Sequence, residues 1–292
     1  MTNEKPTVRI LGISGSPRRA NTYYAVKEAL KAAEELDFVA ETEFISLGEL
    51  NLKPCQGEMK CFGWRMPADG PWECFQWHDD SGWLMDRFRK CDGLILGTPV
   101  YVMNATALTS TFMEKSHCFG MMSFSVWNQQ IDHKSLGIIV VGGGDVGGQE
   151  YTSTQIINWA SFRMCVATAW PRGDDTLPLM GGIAAHITTS HAKNVYRRDA
   201  FTKAQDRNPI PSQGARNERA IRNIGRNVAI QALILKAGMQ RVEEEGWKLP
   251  PVTMWKKYHV KPAPGSYVDS LVKAGKVQLI LPTTPEYDEL EK

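Results

Sequence analysis

The stretch Val8–Thr22, VRILGISGSPRRANT, decides the fold of this chain of 292 residues. Its first half, Val8–Ile13, is a short apolar run rich in β-branched residues, which is typical of a buried strand in a parallel sheet. A loop of serine, glycine and proline follows, and apolar residues then recur at helical spacing at Val26, Ala29, Leu30 and Ala33. The stretch therefore predicts a strand, a tight loop and the start of a helix.

The loop in this stretch has the composition of a phosphate site. The first-turn N–H groups and the dipole of the predicted helix both favour an anion. The loop lacks the Gly-x-Gly-x-x-Gly dinucleotide fingerprint and the Gly-Lys-Ser/Thr ending of a P-loop. Its hydroxyls, amide and guanidinium instead suit a terminal phosphate monoester. The candidate residues are Ser14, Ser16, Arg18, Asn21 and Thr22. The alternative is an ordinary strand–loop–helix connection with a Ser/Asn cap.

Strands and helices alternate along the chain to about residue 170. The predicted strands after the first span residues 39–45, 93–97, 136–141 and 164–169, and the predicted helices span residues 21–36, 82–90, 104–116 and 149–163. This alternation predicts a parallel sheet with helices on both faces. Glycine- or proline-marked turns follow strands one, three and four, so we expect three loops to form one site at the carboxyl edge.

The remainder of the chain is less regular. Residues 171–214 are expected to be loop, and residues 217–246 form a long amphipathic helix whose charges run against its dipole, so packing must hold it. We expect residues 1–246 to form one domain with an irregular cysteine- and tryptophan-rich insert at 55–80. The proline-containing tail, 247–292, is expected to pack on this domain or on a partner subunit.

Composition narrows the functional class. A net charge of +2 gives no reason to expect nucleic acid or an anionic membrane as a partner. No apolar run approaches the length of a membrane span, and the polar N-terminal residues do not resemble a signal peptide, so we expect a cytoplasmic protein. The six cysteines are then thiols, metal ligands or redox groups rather than a disulfide framework.

Three ordered motifs resemble those of the superfamily of NADPH-dependent FMN reductases and iron–sulfur flavoproteins. They are Gly15–Arg18 with Asn21 and Thr22, then Thr98–Tyr101, then the glycine-rich stretch Gly142–Glu150. The resemblance covers about residues 6–170 and the long helix to about 246. It implies an α/β, flavodoxin-like three-layer sandwich with a five-stranded parallel sheet in the order 2-1-3-4-5.

The resemblance also implies where FMN binds. The five loop residues of the first motif would hold its phosphate. The residues implied to line the ring are Pro99, Val100, Tyr101, Val102, Met103 and Asn104, and those implied to cover its pyrimidine side are Gly143, Gly144, Asp145, Gly147 and Gly148. Tyr101 and Asn104 are the candidate catalytic residues. Tyr101 either stacks on the ring or donates a proton to it, or is a packed loop aromatic.

The cysteine segment departs from the family pattern. Iron–sulfur flavoproteins carry a compact four-cysteine cluster motif, and the matching residues here are Cys55, Cys61 and Cys74, with Glu58 where a thiolate is expected. Three interpretations remain open. They are a retained or modified metal site at the three cysteines, with or without Glu58 or His78 as a further ligand, a relic loop that forms a substrate or subunit wall, and a redox disulfide.

These features predict an FMN-dependent oxidoreductase that takes a hydride from NAD(P)H and passes it to a small acceptor such as a quinone, flavin, metal ion or organic compound. The alternative is an electron carrier fed by ferredoxin or a partner enzyme, without a nicotinamide site. A third possibility, suggested by the insert and tail, is a specialised pathway reaction. The basic stretch 216–226 is either a solvated helix face or a source of charge for NADPH. The resemblance implies a homodimer or homotetramer.

Overall fold

The computed structural model describes residues 6–57, 79–116, 134–142, 148–162, 166–167, 184–188, 213–246, 257–258, 273–275 and 278–279. The strands are β1 (Val8–Ser14), β2 (Val39–Ser46), β3 (Gly93–Pro99), β4 (Ser135–Gly142), β5 (Val166–Ala167), β6 (Ala184–Thr188), β7 (Lys257–Tyr258) and β8 (Gln278–Leu279). The helices are α1 (Asn21–Glu34), α2 (Ser81–Lys90), α3 (Ala107–Lys115), α4 (Gln149–Phe162) and α5 (Gln213–Glu244), with one 3-10 turn at Leu47–Glu49.

The main sheet is parallel and has the strand order β2-β1-β3-β4-β5. This confirms the predicted flavodoxin-like α/β fold. The predicted count of five strands is not confirmed, because β6 also pairs with β4, beyond the two residues that pair with β5. β6 lies inside the range 171–214, so the expectation of loop is wrong for Ala184–Thr188. Its AAHIT sequence is short and begins with two alanines, which carry little strand signal of their own.

Successive residues of each strand pack alternately into two hydrophobic cores, one on each face of the sheet. In β1, Ile10 packs with α1 and α5, whereas Leu11 and Ile13 pack with α2, α3 and α4. The same alternation continues in β3 and β4, as expected for a sheet that is buried on both faces. The three layers therefore follow from the period of two in the apolar runs.

Packing and ion pairs hold α5 against α1. Gly225 lies so close to α1 that a Cβ built on it would be 1.9 Å from the carbonyl oxygen of Ala29. Arg222 pairs with Glu28 and Glu35, and Arg226 pairs with Glu35 at 2.7 Å.

These contacts bear on the basic stretch 216–226. Hydrogen bonds from Arg226 and Arg222 hold the pKa of the Glu35 carboxyl below its ordinary value. Arg222 and Arg226 thus act as links between helices, rather than as a purely solvated face. Among the described helices, none is long and apolar enough to cross a membrane.

Candidate functional site

The loops after β1, β3 and β4 leave the sheet at one edge. Ser14 at the end of β1 lies opposite Gly97, and Pro99 at the end of β3 lies opposite Val141 of β4. The three strands run in the same direction, so their carboxyl ends are adjacent. The register therefore places the carboxyl ends of β1, β3 and β4 side by side, and most of the loop after β4, residues 143–147, lies outside the described residues.

The loop after β1 is closed by its own serines. The Ser16 hydroxyl donates to the Arg18 carbonyl at 2.9 Å and accepts from the Arg18 N–H at 3.2 Å. The Ser14 hydroxyl accepts a longer bond, 3.5 Å, from the Ser16 N–H. Both serines are buried and Arg18 is exposed at the rim. A compact polar loop thus leads directly into the first turn of α1.

Helix α1 has no side-chain cap. Ala20 occupies the N-cap position, where its methyl group can accept no hydrogen bond, so the first-turn N–H groups remain for another acceptor. Asn21 and Thr22 are buried in this turn. The side-chain oxygen of Asn21 has no hydrogen-bond partner among the described residues. An open helix N-terminus with buried polar side chains fits an anionic ligand that also carries hydroxyl donors.

A strained turn follows β3. Tyr101 and Asn104 exchange backbone hydrogen bonds of 2.8 and 3.1 Å, and the two residues between them have positive φ, 50° at Val102 and 64° at Met103. Positive φ at both central positions defines a type I′ turn, which normally takes Asn-Gly. A β-branched valine there is an outlier. The predicted helix start at Asn104 is therefore wrong, and α3 begins at Ala107.

The tip of this turn projects apolar side chains into solvent. Val102 is 93% exposed and Met103 is 48% exposed. Such exposed strain is typical of functional sites, since it persists only where the surroundings hold it. Met103 also contacts the end of the next loop, because a Cβ built on Gly148 would be 2.7 Å from its Cα. Gly143, Gly144, Asp145 and Gly147 lie outside the described residues.

Replacing Val102 with asparagine should stabilise the protein by about 1–2 kcal/mol, because asparagine tolerates positive φ and the exposed valine loses no packing. The measurement is the free energy of unfolding in urea. Val102→Thr, which keeps a β-branched side chain, is the matched control and should leave stability unchanged. Equal stability of Val102→Asn and the wild type would show that the turn is not strained.

Three buried threonines connect the turn to the β1 loop, and sequence reasoning did not single them out as site residues. Thr106 caps α3 by accepting from the Thr109 N–H at 3.2 Å, and its hydroxyl donates to the Gly15 carbonyl at 2.6 Å. Thr98, in β3, accepts from Thr109. The one signal in the sequence was a threonine directly before an apolar helical run, which is typical of an N-cap residue.

The insert is closed at its base. The Asp80 carboxylate accepts from the Asn51 N–H at 2.6 Å, and the Asp79 carboxylate accepts from the Lys53 N–H at 2.9 Å. The segment between these contacts therefore leaves and rejoins the domain at one place. Cys55 is an exposed thiol next to this base. The other proposed metal ligands, Cys61, Cys74, Glu58 and His78, lie outside the described residues.

The comparisons with known proteins agree with this geometry. Residues 8–171 match the NADPH-dependent FMN reductase family. An iron–sulfur flavoprotein of Methanocaldococcus jannaschii is 35% identical over 153 residues, which is 52% of this chain and 71% of that protein. An iron–sulfur flavoprotein of Methanosarcina thermophila is 31% identical over 153 residues, which is 52% of this chain and 72% of that protein.

A solved structure extends the likeness in fold. RosB, with bound 8-demethyl-8-formylriboflavin-5'-phosphate, is 15% identical, with a TM-score of 0.53 over 89% of this chain and 93% of that one. This identity shows a shared fold only. The family match covers more than half of the chain and includes the carboxyl ends of β1, β3 and β4. The chain therefore belongs to the flavodoxin-like family of NADPH-dependent FMN reductases and iron–sulfur flavoproteins, and is an FMN-binding oxidoreductase.

Proposed function

We propose that this protein transfers a hydride from NAD(P)H to FMN and passes the electrons to a small acceptor. The observation that carries the proposal is the uncapped N-terminus of α1, which lies at the same sheet edge as a strained, exposed turn. A phosphate at the helix and a flat ring at the turn would occupy both features. When bound, FMN accepts the hydride and supplies two electrons to the acceptor.

The hydrogen-bond donors near the start of α1 suit the phosphate group of FMN. The first-turn N–H groups of α1 and the Thr22 hydroxyl offer neutral donors, and the Arg18 guanidinium supplies charge from the exposed rim. The Ser16 hydroxyl already donates to the Arg18 carbonyl and shapes the loop. The Asn21 oxygen, which has no partner among the described residues, suits a hydroxyl of the ribityl chain. The donors at this end of the site therefore support the binding of a phosphate monoester with a hydroxylated chain.

The ring end would be formed by the turn. Its backbone places Tyr101 and Asn104 side by side, and the Tyr101 ring is 40% exposed, so it can stack on a flat ligand. The Gly148 backbone closes against Met103 from the side of β4, where any side chain would collide. The turn would hold the ring in place and exclude water from one face, while Tyr101 or the Asn104 amide donates a hydrogen bond.

Anaerobic absorbance spectra test the proposal. Purified protein loaded with FMN should lose its flavin band within seconds of NADPH addition, and oxidised quinone or free flavin should restore it. Tyr101→Phe, which keeps the ring but removes the hydroxyl, separates stacking from proton donation. A flavin band that stays unchanged with both NADH and NADPH would contradict hydride transfer from nicotinamide.

Replacing Arg18 with alanine should weaken FMN binding by about 1.5–3 kcal/mol, which is roughly 10–150-fold, because one charge-assisted hydrogen bond to phosphate is lost. Riboflavin, which has no phosphate, should bind both proteins equally. Arg19→Ala is the matched control, since Arg19 is exposed and pairs with Glu49 at 2.7 Å. Quenching of flavin fluorescence measures both affinities, and equal losses for the two variants would refute this placement of the phosphate.

A second candidate is an electron carrier with an iron–sulfur cluster. The position of Cys55 favours it, since this exposed thiol lies next to the closed base of the insert. Cys55, Cys61 and Cys74 supply three thiolates, and Glu58 would be a poorer fourth ligand. Iron analysis, together with bleaching by reduced ferredoxin but not by NADPH, would support this candidate. Iron-free protein that responds to NADPH would exclude it.

A further inference from the structure

A buried hydroxyl network connects the two ends of the proposed FMN site. It consists of Thr98, Thr106 and Thr109, each at most 2% exposed. Thr106 lies 3.0 Å from Thr109 and Thr109 lies 3.0 Å from Thr98, measured between hydroxyl oxygens. The Thr106 N–H also donates to the Thr98 hydroxyl at 3.4 Å. The network therefore joins the end of β3 to the start of α3.

Two of the three hydroxyls donate their protons to backbone carbonyls. Thr106 donates its single proton to the Gly15 carbonyl at 2.6 Å, and Thr98 donates its proton to the Pro99 carbonyl at 3.1 Å. The Thr109 hydroxyl donates its proton to Thr98 at 3.0 Å, so each of the three hydroxyls donates once. Gly15 belongs to the loop that would hold the phosphate, and Pro99 precedes the turn that would hold the ring.

The loop and the network also fit together sterically. A Cβ built on Gly15 would lie 1.9 Å from the Thr109 hydroxyl oxygen, so the loop rests directly on the network. The Gly15 N–H donates to the Gly97 carbonyl at 2.7 Å, which ties the same loop to β3. A shift of Thr106 would therefore move the phosphate loop and the β3 end together.

We propose that Thr106 is a positioning residue that sets the phosphate loop and the ring-facing turn in register, so that both ends of FMN are held at once. This inference rests on the proposed FMN site. Thr106 touches neither end of the cofactor directly. Its hydroxyl donates to the Gly15 carbonyl on one side and accepts from the Thr109 N–H on the other, and the Thr109 hydroxyl in turn donates to Thr98. These groups are buried, where an unpaired carbonyl or hydroxyl is costly.

The test compares binding of FMN and riboflavin to four variants. Arg18→Ala should weaken FMN only, and Thr98→Val should weaken both flavins by the same factor. Thr106→Val should weaken riboflavin about tenfold and FMN by a larger factor, and should shift the midpoint potential of bound FMN. Thr106→Ser keeps the hydroxyl and should restore both affinities and the potential.

Two controls separate positioning from folding. Thr111→Val removes a buried hydroxyl elsewhere on α3 and should leave both affinities unchanged. Should Thr106→Val not fold, Thr106→Asp keeps a capping acceptor but has no proton for the Gly15 carbonyl at neutral pH, so it should give the same pattern. Circular dichroism reports the fold in each case.

The outcomes distinguish this inference from the proposed function. Riboflavin binding that is unchanged in Thr106→Val, or a Thr106→Ser variant that restores nothing, would overturn the positioning role. Wild-type protein that binds no FMN would instead refute the site itself. FMN that binds but does not bleach with NADPH would refute only the hydride donor, since the binding comparison does not use nicotinamide.

Discussion

Gly225→Ala should destabilise the protein by about 3 kcal/mol or more, although alanine is the better helix former. The new methyl group would lie 1.9 Å from the Ala29 carbonyl oxygen and 2.6 Å from the Ala29 carbonyl carbon. Both atoms are backbone, so no side-chain rotation relieves the overlap, and α5 must move away from α1. Overpacking of this kind costs about 1–3 kcal/mol and occasionally more, and separation of the helices adds lost contacts at Ile224 and Val228.

The same helix contains its own control. Gly238 also lies within α5, but a Cβ there would have no atom within 4 Å. Gly238→Ala should therefore stabilise the protein by about 0.5–1 kcal/mol, through the lower conformational entropy of the unfolded chain. The two variants make the same chemical change in the same element and are expected to have opposite signs. Urea unfolding with unchanged m-values measures both, and similar stabilities would show that α1 and α5 do not pack this closely.

The helix crossing at Gly225 shows which parts of the fold could be predicted. The apolar runs of β1, β3 and β4 alternate between two cores, so strand positions and layers follow from the period of two. The helix α5 was expected to be held by packing, because its charges oppose its dipole. The residue that allows the closest approach could not be identified, since the sequence does not show which helix faces it.

The candidate site was also predictable only where local sequence patterns determine its structure. The β1 loop and the start of α1 follow from a local pattern of serine, proline and asparagine in a single stretch, but the absence of a cap depends on Ala20 at the N-cap position, where the sequence left a Ser/Asn cap open. The turn at Val102 and Met103 could not be predicted from its local sequence. Valine disfavours positive φ, so its own preference opposes the turn conformation that it adopts here. The hydrogen bond from Thr106 to Gly15 joins residues 91 positions apart, which no local pattern reports. Strand β6 was missed because its pairing with β4 outweighs a weak intrinsic preference.

A buried ion pair at the base of the insert is expected to contribute strongly to the stability of the protein. The Lys115 ammonium lies 3.1 Å from the Asp79 carboxylate, and the two side chains are 2% and 0% exposed. Asp79 also accepts hydrogen bonds from the Lys53 N–H, the Ser81 N–H and the Ser81 hydroxyl. One carboxylate therefore joins α3, the start of α2 and the segment before the insert.

Asp79→Leu should cost about 3–5 kcal/mol in the free energy of unfolding, because it leaves a buried ammonium and three donors without their acceptor. Lys115→Met should cost less, about 1–3 kcal/mol, since the Asp79 carboxylate keeps its other three donors. The exposed pair of Arg241 and Glu245, 2.6 Å apart, is the matched control. Arg241→Met should change stability by less than about 0.5 kcal/mol.

The pH dependence of the free energy of unfolding separates the contribution of the Asp79 charge from that of side-chain packing. Burial alone would raise the Asp79 pKa, but hydrogen bonds from Ser81, Lys53 and Lys115 outweigh it, so the pKa lies below its ordinary value. The folded state thus favours the carboxylate more than the unfolded state does, and this stability is present above the unfolded pKa of about 3.9 and lost as the pH falls through the folded value. Between pH 5 and pH 3, wild-type stability should fall more steeply than that of Asp79→Leu. Parallel curves, or equal costs for Asp79→Leu and Lys115→Met, would show that this carboxylate does not hold the base of the insert.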